Sequence, residues 1–171
     1  MCGKDWLSNN DVPVCSPGTN ANCAGQPHIG STSKDPANPN WQCVELAQRL
    51  YKTKGWYTGT STGVFASVQI ADDIYQYAQS LGFVSTLNGS ISSVRPGDMI
   101  IHKKSEPGTN SSGHVAIVDT VQGGTITARE QNRSKNGTAT HSLSGGFLTR
   151  TGPDASASSN IEGLVHSPAN S

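Results

Sequence analysis

Apolar side chains first recur in a regular pattern after residue 40. Val44, Ala47 and Tyr51, flanked by Leu46 and Leu50, fall at the three- and four-residue intervals of one helical face until Lys54-Gly55 ends the run. This spacing predicts a helix starting near Trp41. A second helix is predicted over 67–81, where Val68, Ala71, Ile74, Tyr75, Ala78 and Leu81 share a face, with Ser67 placed to cap the start and Gly82 the end. Asp72, Asp73 and Gln76 fall on its polar side. Beyond Gly89 the signal changes to strands, predicted over 98–103, 114–121, 125–130, 146–150 and 161–166. Helices come before strands, and a turn as short as Gln122-Gly123-Gly124 joins only antiparallel neighbours. The pattern therefore predicts an α+β fold, with N-terminal helices packed on one face of a C-terminal antiparallel sheet.

Residues 1–40 show no such pattern. Pro13, Pro17, Pro27, Pro36 and Pro39 break every run, so this stretch reads as an irregular arm in front of a domain at 41–171. A chain of 171 residues suits one domain with a real core. Cys2, Cys15 and Cys23 all lie in the arm, which is dense in Pro, Gly and Asn and needs a covalent staple. Cys15 to Cys23 is the preferred disulfide because it closes a short loop through Pro17-Gly18, leaving Cys2 unpaired. Zinc on Cys2, Cys15, Cys23 and His28 is the competing reading, although there is no CxxC pair and the spacing is loose. No metal or other cofactor is expected.

Charge narrows the classes of partner. Twelve Lys and Arg are matched by twelve Asp and Glu, only 14% of the chain is charged, and the basic residues are scattered. Nucleic-acid binding needs a clustered basic face, so it is excluded as an expectation. No run approaches ~18 consecutive apolar residues, so no membrane span is expected, and the first residues lack the apolar run of a signal peptide. A soluble monomer with a neutral, hydroxyl-rich surface is expected.

Cys43 stands apart from the other cysteines, in the first turn of the first helix. There its sulfur faces backbone N–H groups and the positive end of the helix dipole, which favour thiolate over thiol. A nucleophile needs a base, and His114, which opens a strand after the 106–113 loop, can lean over a helix N-terminus packed on the same sheet. Glu130 ends the strand joined to that one through Gly123-Gly124, so it can accept the other imidazole N–H; Asp119 is the runner-up for this role. Asn132 lies just beyond Glu130. On its own, a cysteine on an amphipathic helix is ordinarily a packing residue. His28, His102, His141 and His166 read as ordinary surface or strand histidines, and Trp41 and Trp56 as core or groove wall.

Three blocks of sequence carry a resemblance. Trp41-Gln42-Cys43-Val44-Glu45-Leu46-Ala47-Gln48-Arg49, then Arg95-Pro96-Gly97-Asp98-Met99-Ile100, then Gly113-His114-Val115-Ala116-Ile117-Val118 resemble the CHAP domain, the cysteine, histidine-dependent amidohydrolase/peptidase. Glu130-Gln131-Asn132 is similar to the family's Glu-x-Asn segment and 161–166 to its closing strand. The resemblance implies a papain-like fold and cleavage of amide bonds in bacterial cell-wall peptidoglycan. Position by position it implies a nucleophile at Cys43, a base at His114, an orienting carboxylate at Glu130, a supporting amide at Asn132 and an oxyanion-stabilising residue at Gln42. A silent wall-binding module, or an effector toxin using the same thiol on another peptide amide, are the alternatives. Asn-x-Ser/Thr sequons begin at Asn88, Asn110, Asn132 and Asn136, and a glycan on Asn132 would block the site. A bacterial source is therefore expected, with the protein secreted or held in the cell envelope.

Overall fold

A computed structural model of the chain describes residues 6–7, 12–15, 23, 28–30, 42–104, 112–134, 136–152 and 160–171. Cys2, Trp41, Pro17-Gly18 and most of the 106–113 loop fall outside them. Helix α1 spans Cys43–Lys54, and Gly55 ends it in the left-handed region (φ 71°), where its N–H reaches back to Lys52 O and Tyr51 O. The apolar face read from the sequence is the buried one: Leu46, Ala47, Leu50 and Tyr51 are at most 1% exposed. Tyr51 also donates from its hydroxyl to Gly97 O at 2.7 Å, which ties α1 to the turn before the central strands.

The second helix is shorter than its apolar spacing predicts. Regular α-helix, α2, covers only Ala71–Gln76. Ser67 does not cap it, because Ser67 itself turns through φ 66°. The start is set instead by Asp73, whose Oδ2 accepts the N–H groups of Gln69 and Ile70 at 2.9 and 3.1 Å. After Gln76 the chain continues in tight turns, with Ala78 N–H on Tyr75 O and Gly82 N–H on Gln79 O, until Gly82 (φ 83°) releases it. Ala71, Ile74, Ala78 and Leu81 are all buried, so the face was legible although the regular hydrogen bonding stops early.

Among the described residues, seven antiparallel strands form one sheet in the order β1-β7-β2-β3-β4-β5-β6. They are β1 Val84–Leu87, β2 Met99–His102, β3 His114–Gln122, β4 Thr125–Arg129, β5 Thr138–Ser144, β6 Phe147–Thr151 and β7 Ile161–His166. This is the expected α+β arrangement, with α1 and α2 against β2, β3 and β7. Two strands lacked a sequence signal. Strand β1 is an edge strand whose apolar residues, Val84 and Leu87, are more than half exposed. Strand β5 turns Ala139 and His141 inward among Thr and Ser, which hides its alternation.

The two ends of the sheet are stitched together. Asn88, just after β1, accepts Leu148 N–H at 2.7 Å and donates to Leu148 O at 3.1 Å, pairing like a strand residue with β6. Gly89 and Ile91 both donate backbone N–H groups to Gly146 O. A Cβ on Gly146, which sits at φ 85°, would lie 2.5 Å from Gly89 O, so the approach requires glycine. The curled sheet encloses one core of Ile91, Ile100, Ala116, Val118, Ile126, Ala128, Leu148, Ile161 and Leu164. A second core fills the space under the helices and includes Leu46, Tyr51, Phe65, Phe83, Met99 and Ile117, together with Trp6, Val12 and Val14 of the arm. Trp56 packs edge-on against Tyr51 beside this core, with centroids 5.4 Å apart.

Candidate active site

Alpha-helix α1 begins at Cys43 itself, with Gln42 in extended conformation as its N-cap. Cys43 as a whole is half-buried. Its sulfur contacts the His114 side chain and the backbone N–H groups of Val44 and Val115. Burial pushes the thiol up, but the charge and hydrogen bond of His114 and the two N–H groups outweigh it, so its pKa is lowered. His114 is the first residue of β3, and its Nε2 lies 2.7 Å from Oε2 of Glu130, which leaves Nδ1 as the nitrogen available to the thiol. Burial opposes a charged ring, but Glu130 and Cys43 raise its pKa to about 9. Each group thus favours the charged form of the other.

Glu130, immediately after β4, is fully buried. Burial alone would favour its neutral form, but Arg150 and His114 hold the carboxyl far below the usual range. Asp119, the runner-up, is engaged elsewhere: it accepts Leu7 N–H at 2.8 Å and pairs with Arg129 at 2.9 Å. Asn132 sits at φ 62° and its Nδ2 donates to Gln42 Oε1 at 2.7 Å. The structure thus brings together Cys43, His114 and Glu130 as one row, and Gln42 with Asn132 as a pair beside it.

Other residues at the site were missed by the sequence reading. Arg150 forks onto both oxygens of Glu130, NH1 to Oε2 at 2.7 Å and NH2 to Oε1 at 2.6 Å, with neither side chain exposed. Its signal was its phase, since it shares the inward row of β6 with Leu148. Gln131 donates to Gln42 O and Glu45 Oε1 and accepts from Cys15 N–H and Arg49 NH2. Glu45 and Arg49 form a buried i,i+4 pair at 3.0 Å, and Arg49 also reaches Pro13 O at 2.8 Å. This network roots the start of α1 in the arm, which is closed by the expected disulfide between Cys15 and Cys23.

The remaining histidines divide. His102 and His141 are strand residues but fully buried, their rings 6.2 Å apart, and His102 lies 5.7 Å from the His114 ring. Burial, with His102 and Arg150 nearby, lowers His141 to about 3 and keeps it neutral. His166 pairs with Asp98 at 2.6 Å. Among the described residues no three His, Cys, Asp or Glu side chains are placed to hold a metal ion, and the disulfide takes two of the sulfurs the zinc reading required. A groove of about 610 Å3 runs past Cys43, lined by Gln42, Gln48, Val64, Val68 and Ile70 among others.

The family model for the CHAP domain matches residues 34–132, more than half of the chain, and spans Gln42, Cys43, His114, Glu130 and Asn132. The chain belongs to the CHAP family. Its α+β arrangement, helices against an antiparallel sheet, is the one expected from the sequence. Among solved structures, this CHAP chain is similar to that of Ly7917, at 21% identity and a TM-score of 0.44. A second Ly7917 structure, with the hydrolyzing product of MDP, gives 21% identity and a TM-score of 0.45; each match covers 74% of this chain and 53% of that one. An N-acetylmuramoyl-L-alanine amidase from Staphylococcus aureus matches at 17% identity and a TM-score of 0.44, covering 86% of this chain and 37% of that one. The chain thus spans about half or less of the length of these proteins. No curated protein sequence matches it.

Proposed function

We propose that this CHAP domain is a cysteine amidohydrolase or endopeptidase that cleaves amide bonds of bacterial cell-wall peptidoglycan. The observation that carries this reading is the row Cys43–His114–Glu130, in which a thiol of lowered pKa contacts an imidazole that is itself anchored to a buried carboxylate. In the proposed reaction the Cys43 thiolate attacks the amide carbonyl carbon and the C–O electron pair moves onto oxygen. Gln42 Nε2 and the Cys43 N–H, which as the first of the helix has no intrahelical partner, are the donors offered to that oxyanion. His114 passes its Nδ1 proton to the leaving amine as the C–N bond breaks, giving a thioester. It then takes a proton from water, which hydrolyses the thioester and returns the thiolate.

Family membership supports the substrate class, and the Cys15–Cys23 disulfide is compatible with a place in the wall, the periplasm or the medium. The test is digestion of purified peptidoglycan, with the new ends identified by mass spectrometry. New amine and carboxyl ends released by the wild type and absent with Cys43→Ala are expected. Intact peptidoglycan, with Cys43 alkylated no faster than a free thiol, would instead favour a silent wall-binding module.

A further inference from the structure

Glu130 carries two cationic partners, and only one of them belongs to the catalytic row. Arg150 extends from β6 across β5, beside His141, with which it is in register, and its guanidinium takes both carboxylate oxygens in a fork. Arg150 lies outside the segment matched by the family model. We infer that Arg150 is a positioning residue for the reaction, acting through Glu130 to fix the plane of the carboxylate and hence the direction of the His114 ring. The inference rests on the Cys43–His114 reading above.

The physical case begins with the bond between His114 and Glu130. A single contact, Nε2 to Oε2, leaves a carboxylate free to rotate about its last side-chain torsion, which is broad and shallow. The ring would follow it, and Nδ1 would drift from the sulfur. A bidentate fork removes that freedom because guanidinium and carboxylate are coplanar and share two short hydrogen bonds. The charge matters as well. A lone buried carboxylate tends to take up a proton, and a protonated Glu130 would no longer anchor an imidazolium. Arg150 keeps it ionised while offsetting part of its field on His114. The titratable groups facing this cluster are Cys43 from α1, His102 from β2, His114 from β3, His141 from β5 and Arg150 from β6. His141 stays neutral here, so Arg150 is the fixed cation facing Glu130.

The test uses the full chain and a double-mutant cycle. Arg150→Lys keeps the charge but loses the fork; it is made alone and in Glu130→Gln, with folding checked by thermal melting. In the wild-type background kcat is expected to fall ~10-fold with KM within ~2-fold. In the Glu130→Gln background the same change is expected to cost less than ~2-fold, because the residue it acts through is gone. An equal loss in both backgrounds would show that Arg150 acts through the fold and would overturn the inference.

Arg150→Met supplies a readout that a structural role would not move. Without the guanidinium, a Glu130 still held ionised by its contact with His114 leaves the site more negative, so the thiolate and the neutral imidazole both take up protons more readily. The pH midpoint of Cys43 alkylation by iodoacetamide and the alkaline limb of activity are both expected to rise by about one unit. Unmoved midpoints in a folded Arg150→Met protein would overturn the inference; if that variant does not fold, the Lys cycle decides. Alkylation needs no substrate, so failure of the wild type to cut peptidoglycan would sink the proposed function while leaving this measurement readable.

Discussion

The side-chain amide of Asn132 donates to Oε1 of Gln42 at 2.7 Å, across 90 residues of sequence. This contact commits the oxygen of the Gln42 amide and leaves its Nε2 as the donor for an oxyanion. In the proposed reaction Asn132 therefore acts through Gln42. Loss of an oxyanion donor costs ~100-fold or more in kcat, so Gln42→Ala is expected to fall by that order. Asn132→Ala, which frees the Gln42 amide to rotate, is expected to cost ~10-fold, and to cost nothing further in the Gln42→Ala background. Steady-state turnover of peptidoglycan fragments by the four proteins measures this, and independent losses would mean that Asn132 works elsewhere.

Cys43→Ala is expected to lose hydrolysis while keeping the fold, since a half-buried helix-start position tolerates alanine at a cost of ~1–2 kcal/mol. Cys43→Ser should be nearly as inactive, because the same N–H groups and His114 do not ionise a hydroxyl at neutral pH. Turnover above background in either protein, with melting close to wild type, would remove Cys43 as nucleophile.

The pH profile should have two limbs with a definite sign. The proposed reaction needs the thiolate and the imidazolium together. On the acid side it is expected to rise at a pH below the ordinary thiol range, because the Cys43 pKa is lowered. On the alkaline side it should fall near pH 9 as His114 loses its proton. A profile of kcat/KM with its alkaline limb near pH 6.5, the ordinary imidazole value, would contradict the Glu130–His114 pairing.

Removing the base should cost more than removing the group that orients it. His114→Ala is expected near background, whereas Glu130→Gln should retain measurable activity. Asp119→Asn should leave turnover almost unchanged, because its partners are Leu7 and Arg129. A larger kcat loss for Asp119→Asn than for Glu130→Gln, at equal stability, would reverse the assignment.

The disulfide ties into the site more closely than an arm with a staple of its own would suggest. Cys15 N–H is bonded to Gln131, which in turn holds Gln42 O, and Pro13 O is bonded to Arg49. Reduction of Cys15–Cys23 is therefore expected to lower the melting temperature and also to reduce kcat several-fold, although Cys43 itself needs a free thiol. Intact mass, ~2 Da higher after reduction, monitors the bond. Full activity of a reduced or Cys15→Ser/Cys23→Ser protein would show that the arm and the nucleophile are independent.

What could be read in the sequence was whatever depends on neighbours along the chain. The 3.6-residue apolar period and Gly55 mark α1 almost residue for residue, and short apolar runs bounded by turn residues mark β2, β3, β4, β6 and β7. Cys43 at a helix start and His114 at a strand start are likewise local facts, and the short turn at Gly123-Gly124 places Glu130 beside His114. Tertiary structure decided the rest, because the remaining partners are held by contacts between distant segments. Arg150 reaches Glu130 only because β5 and β6 complete the curled sheet, and β5 carried no apolar alternation to announce it. Asn132 reaches Gln42 across 90 residues from a backbone at φ 62°, a conformation that strand periodicity does not encode. Ser67, a good cap by composition, could not serve at its positive φ, and Asp73 took that role. The order of apolar and polar residues thus determined α1 and the strands β2, β3, β4, β6 and β7, and with them the ends at which Cys43, His114 and Glu130 stand. Long-range closure of the sheet and docking of the arm decided what holds that row in place, because a buried charge must find its partner wherever the fold brings one.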